Sequence, residues 1–186
     1  MARTTQRDLL GQPIKRRRPR YEAAIEKDDR AELPFRAERV RWLEKVVPRN
    51  RRYGMPHETY MLFREAKSSF VYAHFVATII LSAAFLEHWL SASLIRLGYR
   101  KETQAGLAAM IRCAQENKLL PEVLIAKIDR LRQIRNPFVH LKDFDHHHNI
   151  VQRSLGQRRD PFAVVYEDAK EALIIMYAVA THEFRT

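Results

Sequence analysis

Cysteine is nearly absent from this 186-residue chain, with only Cys113 present. That excludes a disulfide framework and any cysteine-based zinc site. Glycine is also scarce, at five residues, and proline stands at eight. Collagen-like and low-complexity chains are excluded with them, and a 46% hydrophobic share is enough for a packed core. No apolar run follows the first basic residues, so no signal peptide is expected; with so little cysteine, the expected location is the cytoplasm. Acidic residues are in deficit, 22 against 33 Lys and Arg, for a net charge of +11. A surplus of that size points to a polyanion, either nucleic acid or an anionic membrane surface.

The surplus is concentrated at the start. Residues 1–53 hold sixteen Lys/Arg against eight Asp/Glu, which is +8 of the total. Lys15, Arg16, Arg17 and Arg18 form its densest run. Such a block is either a solvated tail or an arm that tracks phosphates. Residues 1–33 lack sustained periodicity and are interrupted by Pro13 and Pro19, with Pro34 next, so they read as a loosely attached arm. The expected domain organisation is a basic arm with one short helix over 1–55 and a helical bundle over 56–186.

Helical spacing dominates the rest. Val40, Leu43 and Val47 predict a helix from about Phe35, ended by Pro48. His57 to Leu97 reads as helix throughout, stopped by Gly98 and with a bend expected near Ser68–Ser69. Within it, Ser68 to Leu86 is nineteen residues without a formal charge, a length that approaches a membrane span. Its Ser, Thr and His content fits a core helix buried on all sides, and no membrane partner is expected. Thr103 is the expected N-cap of a helix through Asn117, and Pro121-Glu122 opens the next helix. Lys142 to Arg159 reads as a polar loop, and Asp160-Pro161 starts a last helix running to about Phe184. No strand pattern of comparable length and no internal repeat is present. The fold class is therefore all-α, a bundle with a basic N-terminal extension.

The string Arg132-Gln133-Ile134-Arg135-Asn136-Pro137-Phe138-Val139-His140 carries the chemistry. Pro137 has no N–H to give, so the carbonyl of Gln133 loses its helical partner. A local rule broken inside a confident element marks function or strain. Asn136 and His140 share a face at four residues' spacing, whereas Arg135 and His140 diverge by about 140° in a regular helix. A kink, or a second copy of the chain, is needed to bring both to one phosphate. The structural alternative is an Arg and a His placed near a helix C-terminus to meet its dipole.

Arg135-Asn136-Pro137-Phe138-Val139-His140 resembles the R-x4-6-H motif, in its R-N-x-x-x-H form, of the HEPN superfamily (higher eukaryotes and prokaryotes nucleotide-binding domains). The apolar helix ending in Phe85-Leu86-Glu87-His88-Trp89-Leu90, and the segments leading through Pro121-Glu122 into the motif, are similar to the helices around that motif in the family. The likeness spans roughly residues 57–184 and omits the basic arm. It implies a four- to five-helix bundle, usually a homodimer, with Arg and His of two chains lining one cleft. Many members are metal-independent endoribonucleases that need no cofactor, often toxins of toxin–antitoxin pairs or phage-defence effectors, while others only bind nucleic acid or regulate a protein partner. An antitoxin or regulatory protein is the partner expected beside RNA.

RNA brings its own nucleophile, the 2′-OH. A protein must remove that proton, hold the phosphate and balance the charge that develops. Histidine titrates near pH 6.5 and suits proton transfer, and arginine stays charged and forks onto phosphate oxygens. His140 is thus the expected general acid or base, Arg135 the phosphate clamp, and Asn136 the residue that orients His140 or contacts the backbone. Arg130, Arg132, Lys142, His146 and His147, with the basic run at 15–18, are the candidate RNA contacts. His146-His147-His148 has ligand-type side chains, but adjacent residues in one loop rarely converge on one ion, so no metal is expected. His74 and His88 are expected to be buried and hydrogen-bonded, with Glu87 an outside candidate for the wall of the site. Tyr53, Tyr60, Phe63 and Tyr72 offer rings for base stacking but at helical spacing suit a core.

Overall fold

A computed structural model describes residues 20–47 and 55–182. Lys15, Arg16, Arg17, Arg18 and Tyr53 lie outside the described residues. The described chain is all helical, with no strand. Its helices are α1 (Arg20–Val46), α2 (His57–Val71), α3 (Phe75–Arg96), α4 (Arg100–Gln104), α5 (Leu107–Glu116), α6 (Glu122–Val139), α7 (Ile150–Gln157) and α8 (Pro161–Ala180). Contacts divide the chain into two units, Met1–Glu38 and Arg39–Thr186.

In the first unit, α1 begins at Arg20, well before the expected start near Phe35, and runs through Pro34. The segment Arg20–Leu33 has no apolar stripe, but Glu, Lys, Arg and Ala give it high intrinsic helix propensity. Its side chains are almost all exposed, Tyr21, Ile25, Leu33 and Phe35 among them. Water can therefore satisfy the carbonyl that Pro34 deprives of a donor. The Arg36 guanidinium reaches back to the Asp29 carboxylate at 2.9 Å and to the Asp29 carbonyl at 2.8 Å.

The second unit is organised around α3. Ile79, Ala83, Phe85, Leu86, Leu90 and Leu94 are wholly buried, and the helix packs against α2, α5, α6 and α8. Small residues at Ala66, Ser82 and Ala83 let neighbouring helices approach closely. By length and composition α3 could cross a membrane, and it is the one such helix among the described residues. Its most apolar side chains are the ones that meet the core of the bundle. Phe63 meets the ring of Phe85 at 5.7 Å and that of Tyr177 edge-on at 5.3 Å, which joins α2, α3 and α8. Phe70 stacks on Tyr166 at 5.9 Å and lies 5.0 Å from Trp42.

Three boundaries differ from expectation. The break in the long helix falls at Tyr72–His74, where Ala73 takes φ 61°, and not at Ser68–Ser69. The Arg39 guanidinium donates to the Val71 carbonyl at 2.8 Å and so meets the negative end of α2. Thr103 is not an N-cap: its hydroxyl donates to the Arg100 carbonyl inside α4. Gly106, at φ 84°, separates α4 from α5, a conformation that costs a side-chain-bearing residue dearly. The segment expected to be loop between Lys142 and Arg159 contains α7.

Helix α7 is fixed by a contact that its sequence gives no reason to expect. Arg153 makes two parallel 2.6 Å hydrogen bonds to the carboxylate of Asp168 on α8. The two side chains are only 12% and 4% exposed. Asp160 caps α8 by accepting from the N–H groups of Phe162 and Ala163, with Pro161 in the first turn, as its sequence predicts. Breaking a buried pair strands its other charge at a cost of about 3–5 kcal/mol, while an apolar pair of similar volume is tolerated. Asp168→Ala is thus expected to lower unfolding stability in urea by about that amount, and Asp168→Leu combined with Arg153→Met to recover most of it. Equal losses for the single and double variants would show that the pair does not anchor α7.

Candidate functional site

Helix α6 buries Leu124, Ile125, Ile128, Leu131 and Ile134, and this stripe sets the direction of the motif that follows it. Arg135 lies at the edge of the stripe, with its side chain 20% exposed. Its guanidinium approaches the Glu87 carboxylate on α3 at 3.5 Å and the Asn136 side-chain oxygen at 3.4 Å. Glu87 is itself about one-third exposed, so the cluster opens to solvent. A partly exposed guanidinium beside one carboxylate and one amide retains N–H groups for an incoming phosphate.

Pro137 does not break α6. The helix continues to Val139, and His140 leaves it with an extended backbone (φ −131°, ψ 126°). The His140 N–H still donates to the Asn136 carbonyl at 2.9 Å, closing the last turn. Its ring is exposed and makes no hydrogen bond among the described residues. The structure therefore brings Arg135 and Asn136 together with Glu87, while the His140 ring makes no hydrogen bond to any of the three. In the chain beside His140, Val139, Leu141 and Phe144 are all exposed.

The other candidates separate. Arg132 pairs with Asp129 at 2.7 Å within α6, and Arg130 points elsewhere to bond Glu171 on α8 at 2.8 Å. Residues two apart on a helix do not share a face, so these arginines do not form one phosphate track. Lys142 is half-buried and makes no ion pair among the described residues. His146, His147 and His148 form a stack of rings near Arg130 and Arg153. No group of three His, Cys, Asp or Glu side chains among the described residues is placed to hold a metal ion. His74 and His88, expected in the core, are both exposed: His74 lies in the break before α3, and His88 lies off the buried face of α3. Phe63 is buried as its spacing suggests, whereas Tyr60 and Tyr72 are exposed. Cys113 is buried, and burial pushes its thiol up from the ordinary value. A groove of about 710 Å³ shares no lining residue with the motif and is bounded by Val40, Leu43, Val47, Arg64, Lys67 and Tyr72.

No protein family, curated protein or solved structure matches this chain. The functional reading therefore stands on the chain's own residues and on the motif resemblance.

Sequence reasoning placed Glu87 only at the margin of the site and missed Arg153 and Asp168. Glu87 carried a faint signal, a carboxylate near the end of an apolar helix. The Arg153–Asp168 pair carried none, since fifteen residues and a turn separate its members.

The histidine stack has a consequence for acid stability. His148 is held below the ordinary imidazole range, first by burial, then by His147 and His146, and then by Arg153 and Arg130. The folded chain thus keeps this ring neutral while the unfolded chain takes up a proton below about pH 6.5. Stability is expected to fall as pH drops from about 6.5 through the lowered folded value. His148→Asn should flatten that fall in Tm between about pH 7.5 and 5.5. An unchanged slope in the variant would rule out His148 as its source.

Proposed function

We propose that the chain is a metal-independent endoribonuclease of HEPN type, working in the cytoplasm as a homodimer, in a toxin or phage-defence role. The observation that carries this reading is the motif arginine: Arg135 is half-buried, flanked by Asn136, and retains an open edge beside Glu87. An exposed histidine five residues later supplies a group that can move protons. In the reaction, the RNA 2′-oxygen forms a bond to phosphorus as the bond from phosphorus to the 5′-oxygen breaks. His140 takes the 2′-OH proton, and water returns a proton to the leaving 5′-oxygen. Arg135 holds the phosphate oxygens as charge builds on them. The products are a 2′,3′-cyclic phosphate and a 5′-OH.

Within one chain His140 meets Asn136 only through its backbone N–H, and its ring makes no hydrogen bond to Arg135 or Asn136 among the described residues; this favours an active site shared by two copies. The exposed Val139, Leu141 and Phe144, beside His140 in the chain, support such pairing, because exposed apolar side chains of this size are favoured at protein interfaces. The same lack of a ring hydrogen bond also supports a second reading, a non-catalytic module of this fold that binds nucleic acid or a protein partner. The net charge of +11 suits either one.

The two readings differ in a cleavage assay on total RNA and tRNA in EDTA. If the nuclease reading is right, His140→Ala lowers the rate by about 10²–10⁴-fold and leaves RNA affinity within about threefold. Arg135→Ala lowers both rate and affinity. Retention of RNA with no cleavage by wild type selects the binding module, and equal cleavage by wild type and His140→Ala refutes the mechanism.

A further inference from the structure

The loop between α6 and α7 holds a cluster of titratable side chains that the proposed reaction does not use. His146 and His147 stack nearly parallel with ring centroids 4.9 Å apart, and His148 lies 4.0 Å from His147 and 5.5 Å from His146. Backbone and amide hydrogen bonds hold this loop in shape. The His146 N–H donates to the Asp143 carbonyl at 3.0 Å, and the Asn149 N–H to the His146 carbonyl at 2.8 Å. The Asn149 side-chain amide donates to the Asp143 carbonyl at 2.6 Å, and that of Gln152 to the Phe144 carbonyl at 3.3 Å. Finally, the His148 N–H donates to His146 Nδ1 at 3.2 Å. That nitrogen must present a lone pair, so the neutral His146 ring carries its proton on Nε2.

The charged groups around the stack come from three helices and the loop itself. Arg130 on α6 and Arg153 on α7 act on His148, together with the other two imidazoles. On α8, Glu171 and Asp168 are taken up by Arg130 and Arg153. Asp143, Asp145 and Lys142 belong to the loop, and none of them figures among the charges acting on His148. Arg130 uses only its Nε on Glu171, and its side chain is 56% exposed, leaving its terminal nitrogens facing solvent.

We propose that His146, His147 and His148, with the open edge of Arg130, form a phosphate subsite for the RNA strand that fills as His147 and His148 take up protons, with His146 offering its Nε2–H. The inference rests on the RNA reading above, and it assigns the stack a binding role, not a catalytic one. Adjacent imidazoliums repel one another, so His148 resists charging beside His147 and His146. A phosphodiester supplies the missing counter-charge. Protons and phosphate therefore strengthen each other's binding by the same factor. The run begins six residues beyond His140, so a strand engaged at the motif has the subsite on the adjoining loop.

The test is fluorescence anisotropy with a labelled single-stranded RNA of about twelve nucleotides, 2′-O-methylated so that it is not cut, in EDTA at constant ionic strength. On going from about pH 7.4 to 5.8, wild-type affinity is expected to rise about tenfold and its salt dependence to steepen. His146→Asn/His147→Asn/His148→Asn should gain less than about threefold, while His74→Asn/His88→Asn behaves as wild type. His147→Asn alone, at an exposed ring with no hydrogen bond among the described residues, should give an intermediate gain and guards against misfolding of the triple variant. Equal gains in wild type, triple and His147→Asn chains overturn the subsite, as does a wild type that shows no gain. Cleavage of unmodified RNA is scored separately. A pH gain lost in the triple variant without any cleavage keeps the subsite and rejects the nuclease.

Discussion

Phe85 and Leu86 are wholly buried between α3 and its neighbours, and the next residue in the helix, Glu87, must turn away from that core. The position of the candidate site follows from this one constraint. Ile134 fixes α6 in the same way, and Arg135, next to it, emerges where Glu87 does. The Glu87–Arg135 approach at 3.5 Å is loose and partly solvated, so by itself it contributes little stability. Its significance is chemical: a carboxylate occupies one side of a guanidinium that still has N–H groups to offer. An anion that binds Arg135 has to compete with Glu87 for it.

A second constraint shapes the surface beyond the motif. The buried Arg153–Asp168 pair holds α7 on α8, and the loop entering α7 is folded back through Asn149 and Gln152. Three imidazoles stack on one another in that loop, and Arg153 and Arg130 act electrostatically on His148. Desolvating an ion pair is costly, and bidentate geometry is the arrangement that best offsets it. The result is a loop in which burial and neighbouring imidazoles hold His148 below the ordinary imidazole range.

Much of the fold was legible in the sequence because apolar spacing reports directly on burial. Leu124, Ile128 and Leu131 lie in the core as their three- and four-residue steps require, and Gly98 and Pro121 fall at helix boundaries. Asp160-Pro161 was readable as a cap because both residues act locally. The misreadings have distinct physical causes. The first half of α1 is helical by propensity and not by amphipathic pattern, so periodicity did not reveal it. Helix α7 is held by a pair distant in sequence. His74 falls in the break before α3, and His88 sits on α3 but on a face that its packing leaves outside. At the site, Arg135 and Asn136 were legible as neighbours, whereas the approach of Glu87 depends on how α3 and α6 cross.

The central claim is that RNA supplies the nucleophile and the protein supplies only proton transfer and charge. Its most direct test compares an unmodified RNA with one methylated at every 2′-oxygen, incubated with the purified chain in EDTA. The account predicts cleavage of the unmodified strand alone, with 2′,3′-cyclic phosphate ends. Cleavage of the methylated strand, or none of either, would contradict it.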